Sequence, residues 1–74
     1  MTTARVSYAN GYIWLSCAYD AALVAALRKI PYRRRAWRRH MWRIDRRLDE
    51  TLFAILDKHC TRIDFVTFEE LIDH

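Results

Sequence analysis

The 74-residue sequence has little glycine, proline and cysteine, and each shortage excludes a class of protein. One glycine and one proline are too few for a flexible linker, and a phosphate-binding loop alone needs about two glycines. Two cysteines allow a single disulfide, whereas small secreted domains usually carry several. We therefore expect free, buried thiols in a reducing cytoplasm and no nucleotide hydrolysis.

Long apolar runs, metal-ligand patterns and catalytic motifs are also missing. The longest uncharged stretch, residues 6–19, contains polar side chains, whereas a membrane-spanning helix needs about 20 apolar residues. His59 and Cys60 are adjacent and far from Cys17, which is not the spacing of a zinc site. The carboxylates are scattered, and neither serine lies in a nucleophile elbow. We expect no membrane span, no metal, no cofactor and no enzymatic activity.

The residues that are abundant favour a small folded domain. Hydrophobic residues make up 53% of the chain and aromatic residues 14%, so residues 1–74 are expected to form one packed domain. A chain of this length buries only about 60% of its unfolded surface, and its core must therefore be efficient or shared with a partner.

Charge is distributed unevenly along the chain. Residues 1–27 carry one base and one acid, residues 28–47 carry ten bases and one acid, and residues 48–74 carry two bases and seven acids. The three segments therefore have net charges of 0, +9 and −5, which sum to the overall +4. The basic segment, residues 28–47, is typical of a surface that contacts nucleic-acid phosphates.

Turn, capping and periodicity signals predict both strands and helices. Asn10-Gly11 is a hairpin turn signal because both residues accept positive φ, and Asp20 is a helix N-cap. Thr67 and Glu70 form a capping box. The predicted elements are strands 3–9 and 12–17, a helix ending at residue 29 or 30, a helix over 47–59, a strand over 62–66 and a short last helix.

Residues 32–45 are compatible with two structures. Hydrophobic residues recur there at near-heptad spacing, which predicts one long helix over about 32–60. Alternation instead predicts a hairpin with strands 34–38 and 41–45, in which Trp42 faces inward opposite Trp37 and Met41 faces outward. Arg39-His40, at the turn, lacks the residues that tight turns favour, which counts against the hairpin.

Several short motifs resemble the HARP domain, a small module found ahead of the motor in annealing helicases and in some bacterial and phage helicases. Tyr19-Asp20, Ile30-Pro31 and Trp42-Arg43-Ile44 match its pattern in order and spacing, and the resemblance covers about residues 6–59. Two positions depart from the pattern: Tyr32 replaces a glycine, and Arg35 replaces the first tryptophan of a pair.

The resemblance implies an α+β fold of strand hairpins packed on helices, which favours the hairpin for residues 32–45. The predicted order is ββαββαβ followed by a short C-terminal helix. The resemblance also implies recognition of DNA, often at junctions between single and double strands. The helicase motor is absent from these residues, so the chain is expected to bind DNA without remodelling it.

The function expected from these observations is non-catalytic binding of DNA phosphates at a single-strand/double-strand junction or on single-stranded DNA. Arginine suits this role because its guanidinium can bond two phosphate oxygens at once. A tryptophan of the hairpin would stack on an unpaired base if exposed, although core packing is the favoured alternative. The candidate binding residues are Lys29, Arg33, Arg34, Arg35, Arg38, Arg39, Arg43, Arg46, Arg47 and Trp37.

A second hypothesis is a small adaptor or inhibitor that binds a protein such as a helicase, a host protein or a second copy of the chain. The basic segment would meet an acidic partner, or the acidic residues 48–74 a basic one, with Phe68 and Leu71 as apolar contacts. An open strand edge is a further route to pairing. The preference for arginine over lysine is typical of a GC-rich coding sequence, as in an actinobacterium or its phage.

Overall fold

The structure, a computed structural model, describes residues 3–18, 20–31, 34–38 and 41–72, and for Trp37 and Arg38 it describes the backbone alone. Within these ranges, five strands and three helices follow one another in the order ββαββαβα, which confirms the predicted α+β class and element order. The elements are β1 (Thr3–Ala9), β2 (Tyr12–Cys17), α1 (Ala21–Leu27), β3 (Arg35–Arg38), β4 (Met41–Asp45), α2 (Asp49–His59), β5 (Arg62–Phe65) and α3 (Phe68–Ile72).

The strands form one sheet in the order β3-β4-β2-β1-β5. All neighbouring strands are antiparallel except β1 and β5, which are parallel. Asn10 and Gly11 have φ values of 55° and 80° in the turn between β1 and β2, as a tight hairpin requires. The register pairs Val6 with Leu15. Both predicted strands of this hairpin are therefore confirmed.

Strands β3 and β4 pair in antiparallel fashion, as the hairpin prediction requires, and the alternative of one long helix over about 32–60 is wrong. Trp37 lies opposite Trp42 in the β3–β4 register, as predicted. Strand β4 also pairs with β2, where Ile44 lies opposite Ile13. Ile44 is fully buried and Trp42 is only 8% exposed, so alternation rather than heptad spacing decided the structure. The predicted Arg39-His40 turn lies outside the described residues.

Helix α1 begins where its cap predicted, but it is shorter than expected. The Asp20 carboxylate accepts a hydrogen bond of 3.0 Å from the Leu23 N–H, which satisfies a free amide of the first turn. Helix α1 ends at Leu27 rather than at residue 29 or 30, and a turn follows it. Helix α2 follows a 3₁₀ turn over Arg46–Leu48, so the predicted start at residue 47 falls within that turn.

The main core lies between the sheet and the layer formed by α1 and α2. Leu23 and Leu27 of α1 and Leu52 and Leu56 of α2 are fully buried there. The complete set of buried residues in this core is Ala4, Val6, Ile13, Leu15, Leu23, Leu27, Ile30, Trp42, Ile44, Leu52 and Leu56. Among the described residues, no helix has the length and apolar composition needed to cross a membrane.

Helix α3 packs against β1 on the other face of the sheet. The Thr67 side chain caps this helix as predicted, since the Glu70 N–H donates a hydrogen bond of 3.1 Å to Thr67 Oγ1. The Phe68 ring contacts the Trp14 ring edge-on at 5.1 Å between centroids, and Leu71 is buried. Leu71 is therefore covered by the fold and unavailable as an apolar contact for a partner, whereas Phe68 is half-buried. Met41 shares a face of β4 with Arg43, as predicted, but it is covered there and only 3% exposed.

Candidate nucleic-acid interface

One face of the β2-β4-β3 part of the sheet points away from α1 and α2, and we call it the outer face. The register places Arg43 near its centre, opposite Trp14 on β2 and Ala36 on β3. Arg38 occupies the next outer-face position of β3, opposite Met41. Alternate residues of a strand share a face, so the hairpin collects basic positions on this side.

Arg43 and Tyr12 contact each other on the outer face. The Arg43 Cζ atom lies 4.4 Å from the centroid of the Tyr12 ring, within the range of a cation–π interaction. Both residues are half-buried. The contact stacks a guanidinium over an aromatic ring on the outer face, and both side chains stay partly accessible to solvent.

Arg34 and Asp45 form an ion pair at the margin of the same face. The distance from Arg34 Nη1 to Asp45 Oδ2 is 2.7 Å, and the Arg34 side chain is 49% exposed. The other Asp45 oxygen accepts a hydrogen bond of 2.9 Å from the Arg47 N–H. That backbone hydrogen bond, followed by the one from Arg34, holds the pKa of Asp45 below its usual value. Asp45 thus carries a negative charge inside the basic segment.

Arg46 and Arg47 follow the end of β4, and only Arg47 extends the outer face. Both are exposed in the 3₁₀ turn, and the Arg46 N–H donates a hydrogen bond of 3.3 Å to the Gly11 carbonyl. The Arg46 Cζ atom lies 5.7 Å from the centroid of the Tyr8 ring, which stacks on Phe53 of α2. The Arg46 side chain therefore lies on the helix-facing side of the sheet, while Arg47 is exposed at the margin of the outer face.

Two predicted binding residues lie on the opposite side of the sheet. Arg35 is opposite Ile44, which faces the helices, and its Nε donates a hydrogen bond of 2.8 Å to the Ile30 carbonyl. Lys29 is exposed and lines a groove of about 500 Å³ between α1 and α2, together with Lys58 and His59. Arg35 thus has a structural bond to the end of α1, and Lys29 is separated from Arg43 by the sheet.

The remaining predicted site residues are placed only in part. Trp37 lies at a helix-facing register position, opposite Trp42, and Arg38 at an outer-face position. Arg33 and Arg39 lie outside the described residues. Of the ten predicted residues, the outer face and its margin therefore bring together Arg34, Arg43 and Arg47, with Arg38 beside them by register, whereas the Arg46 side chain lies on the helix-facing side.

Tyr12 is the residue of this surface that sequence reasoning missed. Alternation on β2 already assigns it to the face opposite Ile13, but not to the neighbourhood of any arginine. That neighbourhood depends on the β2–β4 register, in which Tyr12 lies opposite Asp45 and diagonal to Arg43. The alternation along β2 was the one signal available in the sequence. It identifies Arg43 as a neighbour of Tyr12 only when β4 is known to lie beside β2.

The described residues form neither a metal site nor an activated thiol. The described residues contain no group of three or more His, Cys, Asp or Glu side chains that could hold a metal ion. Cys17 and Cys60 are free thiols and are half-buried. Burial raises the pKa of the Cys17 thiol to about 11, and the nearby Cys60 and Asp20 contribute further. A thiol with a raised pKa is a weak nucleophile at neutral pH.

Three comparisons with known proteins found no similar protein. The chain matches no protein-family model, and no curated protein or solved structure is significantly similar to it.

Proposed function

We propose that the chain is a non-catalytic module that binds nucleic acid, with single-stranded DNA or a single-strand/double-strand junction as the ligand. The phosphates contact the outer face through Arg43 and Arg34 and reach Arg47 at its margin. The observation that carries this proposal is the Arg43–Tyr12 contact, which places a phosphate-binding cation and an aromatic ring on one open surface.

Charge supplies the driving force in this proposal. The segment 28–47 has a net charge of +9, and neutralising phosphates with arginines releases the counterions that DNA condenses. The guanidinium forks on rigid strands are suited to paired hydrogen bonds with phosphate oxygens. Binding is therefore steeply dependent on salt and only weakly dependent on base sequence. In this role the protein works in a reducing cytoplasm, which its two free thiols fit.

The HARP resemblance supports the choice of a junction as ligand. Tyr12 supplies a ring on which an unpaired base can stack, with Arg43 beside it to hold the adjacent phosphate. Trp42 is buried in the core, so it is not the stacking residue of this proposal. The tyrosine takes the place that the sequence suggested for a tryptophan of the hairpin.

Fluorescence anisotropy with labelled single-stranded, duplex and forked DNA, at two salt concentrations, tests the proposal. Arg43→Ala is expected to weaken binding to all three and to reduce the salt slope by about one. Lys58→Ala is the matched control, because it removes the same charge from an exposed position on α2. Absence of binding at low salt, or equal effects of the two substitutions, would contradict the proposal.

A second candidate function is binding to another protein, as an adaptor or inhibitor. The observation that favours it is the exposure of apolar side chains beside the acidic segment: Phe65 is 66% exposed and Ile72 is 40% exposed. An interaction that persists at high salt and is lost on Phe65→Ser, while DNA binding is absent, would support this function instead.

A further inference from the structure

Strand β5 leaves one of its edges open. It is the last strand in the sheet order, and its main contacts are with β1. Just beyond β5, the Val66 N–H donates a hydrogen bond of 2.9 Å to the Val6 carbonyl. Alternate residues of a strand direct their backbone groups to opposite sides, so Asp64 also faces β1 while Ile63 and Phe65 face away from it. Within the described ranges, no strand lies beyond this edge.

The side chains of β5 form a pattern that is complementary to itself. Arg62 and Asp64 project from one face and form an ion pair of 2.7 Å between Nε and Oδ1. Ile63 and Phe65 lie on the helix-facing side, where the Phe65 ring is 5.7 Å from that of Phe53. Phe65 is nevertheless 66% exposed, so the apolar side of this edge is incompletely covered.

We propose that β5 pairs in antiparallel fashion with β5 of a second copy of the chain, about a two-fold axis at Ile63. This register places Arg62 opposite Asp64 of the partner subunit, and the axis repeats the same pair in reverse. Four charges of alternating sign then lie together on one face. On the other face, Ile63 meets Ile63 of the partner subunit, and Phe65 lies opposite Thr61 of the partner subunit, diagonal to the partner's Ile63. The ten-stranded sheet that results follows from two five-stranded sheets.

The hydrogen-bonding parity of the strand agrees with this register. Ile63 directs its N–H and C=O outward, so it forms a hydrogen-bonded pair with Ile63 of the partner subunit. Arg62 of one copy then forms a non-hydrogen-bonded pair with Asp64 of the partner subunit, and the Cα atoms of such a pair come within about 4.5 Å. Side chains interact most closely at such positions, and opposite charges there are favourable.

The opposite edge of the sheet is less suited to self-pairing. Strand β3 is the other edge strand, and antiparallel pairing of β3 with itself places Arg35 opposite Arg38 of the partner subunit. Like charges directly opposite each other destabilise a strand pair. Pairing of β5 with β3 of another copy leaves two edges free and continues into open chains, whereas the two-fold β5 contact closes as a dimer.

Sedimentation velocity of the whole protein without nucleic acid tests the dimer, from about 10 µM to about 1 mM, where weak interfaces still associate. The expected mass rises from 9.0 kDa toward twice that value as concentration increases. R62D and D64R each place like charges at positions 62 and 64 of the two copies, and the two-fold axis repeats this pair. Each variant is therefore expected to raise the dimer dissociation constant at least about tenfold. The double variant R62D/D64R restores opposite pairs and is expected to restore the dimer.

Circular dichroism of each variant is expected to show that the substitutions leave the fold intact. A protein that stays monomeric at about 1 mM, single variants that dimerise like the parent, or a double variant that stays dissociated would each overturn the proposal. Species larger than a dimer would indicate head-to-tail pairing of β5 with β3 instead. None of these results depends on whether the protein binds DNA.

Discussion

The Arg43 guanidinium lies over the Tyr12 ring, with 4.4 Å between Cζ and the ring centroid, although the two residues are far apart in the sequence. They are diagonal neighbours on β4 and β2, because Tyr12 lies opposite Asp45 and Arg43 opposite Trp14. A contact of this kind restricts the rotamers of a long, flexible side chain before any ligand arrives. Ordering the cation in advance reduces the entropy lost when it binds a phosphate.

Removing the Tyr12 ring tests this relationship. Tyr12→Ala is expected to weaken DNA binding at least about fivefold, since the stacking of one base on an aromatic side chain contributes about 1–3 kcal/mol. Tyr12→Phe keeps the ring and is expected to keep the affinity. Anisotropy titrations of the two variants at one salt concentration make the comparison. Equal losses in both variants would mean that the hydroxyl group, not the ring, matters.

Neutralising Asp45 is expected to strengthen DNA binding. It is the one acid in residues 28–47, and its ion pair engages Arg34. Asp45→Asn removes the negative charge, releases Arg34 for phosphate and is expected to increase the salt slope by up to about one. The asparagine oxygen can still accept from the Arg47 N–H. Asp57→Asn, at an exposed position on α2, is the control, and an equal gain there would contradict a local effect.

Trp42 is expected to be a major contributor to stability. It is 8% exposed and belongs to the core between the sheet and the helices, so Trp42→Ala leaves a large cavity. The expected loss in the free energy of unfolding is about 3–5 kcal/mol. Ile72→Ala, at a 40% exposed position, is expected to cost about 1 kcal/mol or less. Urea denaturation followed by circular dichroism compares the two, and similar midpoints would show that the indole is not buried.

The Cys17 thiol predicts how stability changes at high pH. Its pKa is raised in the folded protein from the ordinary value of 9.0 to about 11, so the unfolded chain loses the proton first. The stability that the folded protein gains from this protonated thiol is therefore fully present below pH 9.0, and it is lost as pH rises toward about 11. Cys17→Ala is expected to show a shallower decrease of melting temperature over that interval. Parallel pH profiles for the two proteins would contradict the assignment.

Local signals in the sequence were sufficient for most elements of the fold. Asn10 and Gly11 adopt the positive φ that their turn demands, and Asp20 and Thr67 cap the helices that follow them. Each of these features depends on residues within a few positions of one another, and short-range hydrogen bonds satisfy them. The boundaries were less exact where no cap marked them, as at the end of α1.

The candidate site was less accessible to the same reasoning. Counting arginines identified the basic segment, but it could not separate Arg35, which bonds the Ile30 carbonyl on the helix side, from Arg43 on the outer face. Met41 is a similar case. Alternation assigned it to the correct face of β4, but could not show that this part of the face is covered. Which arginines share a surface depends on which strands are neighbours.

Residue types and contacts between near neighbours were enough to establish the charge segments, the first hairpin, the helix caps and the α+β composition. The three-dimensional arrangement was needed to establish that β3 and β4 are paired strands, that β4 joins β2, and that β1 is parallel to β5. The physical reason is that strand pairing is stabilised by hydrogen bonds and burial between distant segments. Local propensity also allowed a long helix, because it does not include the free energy of pairing between distant segments.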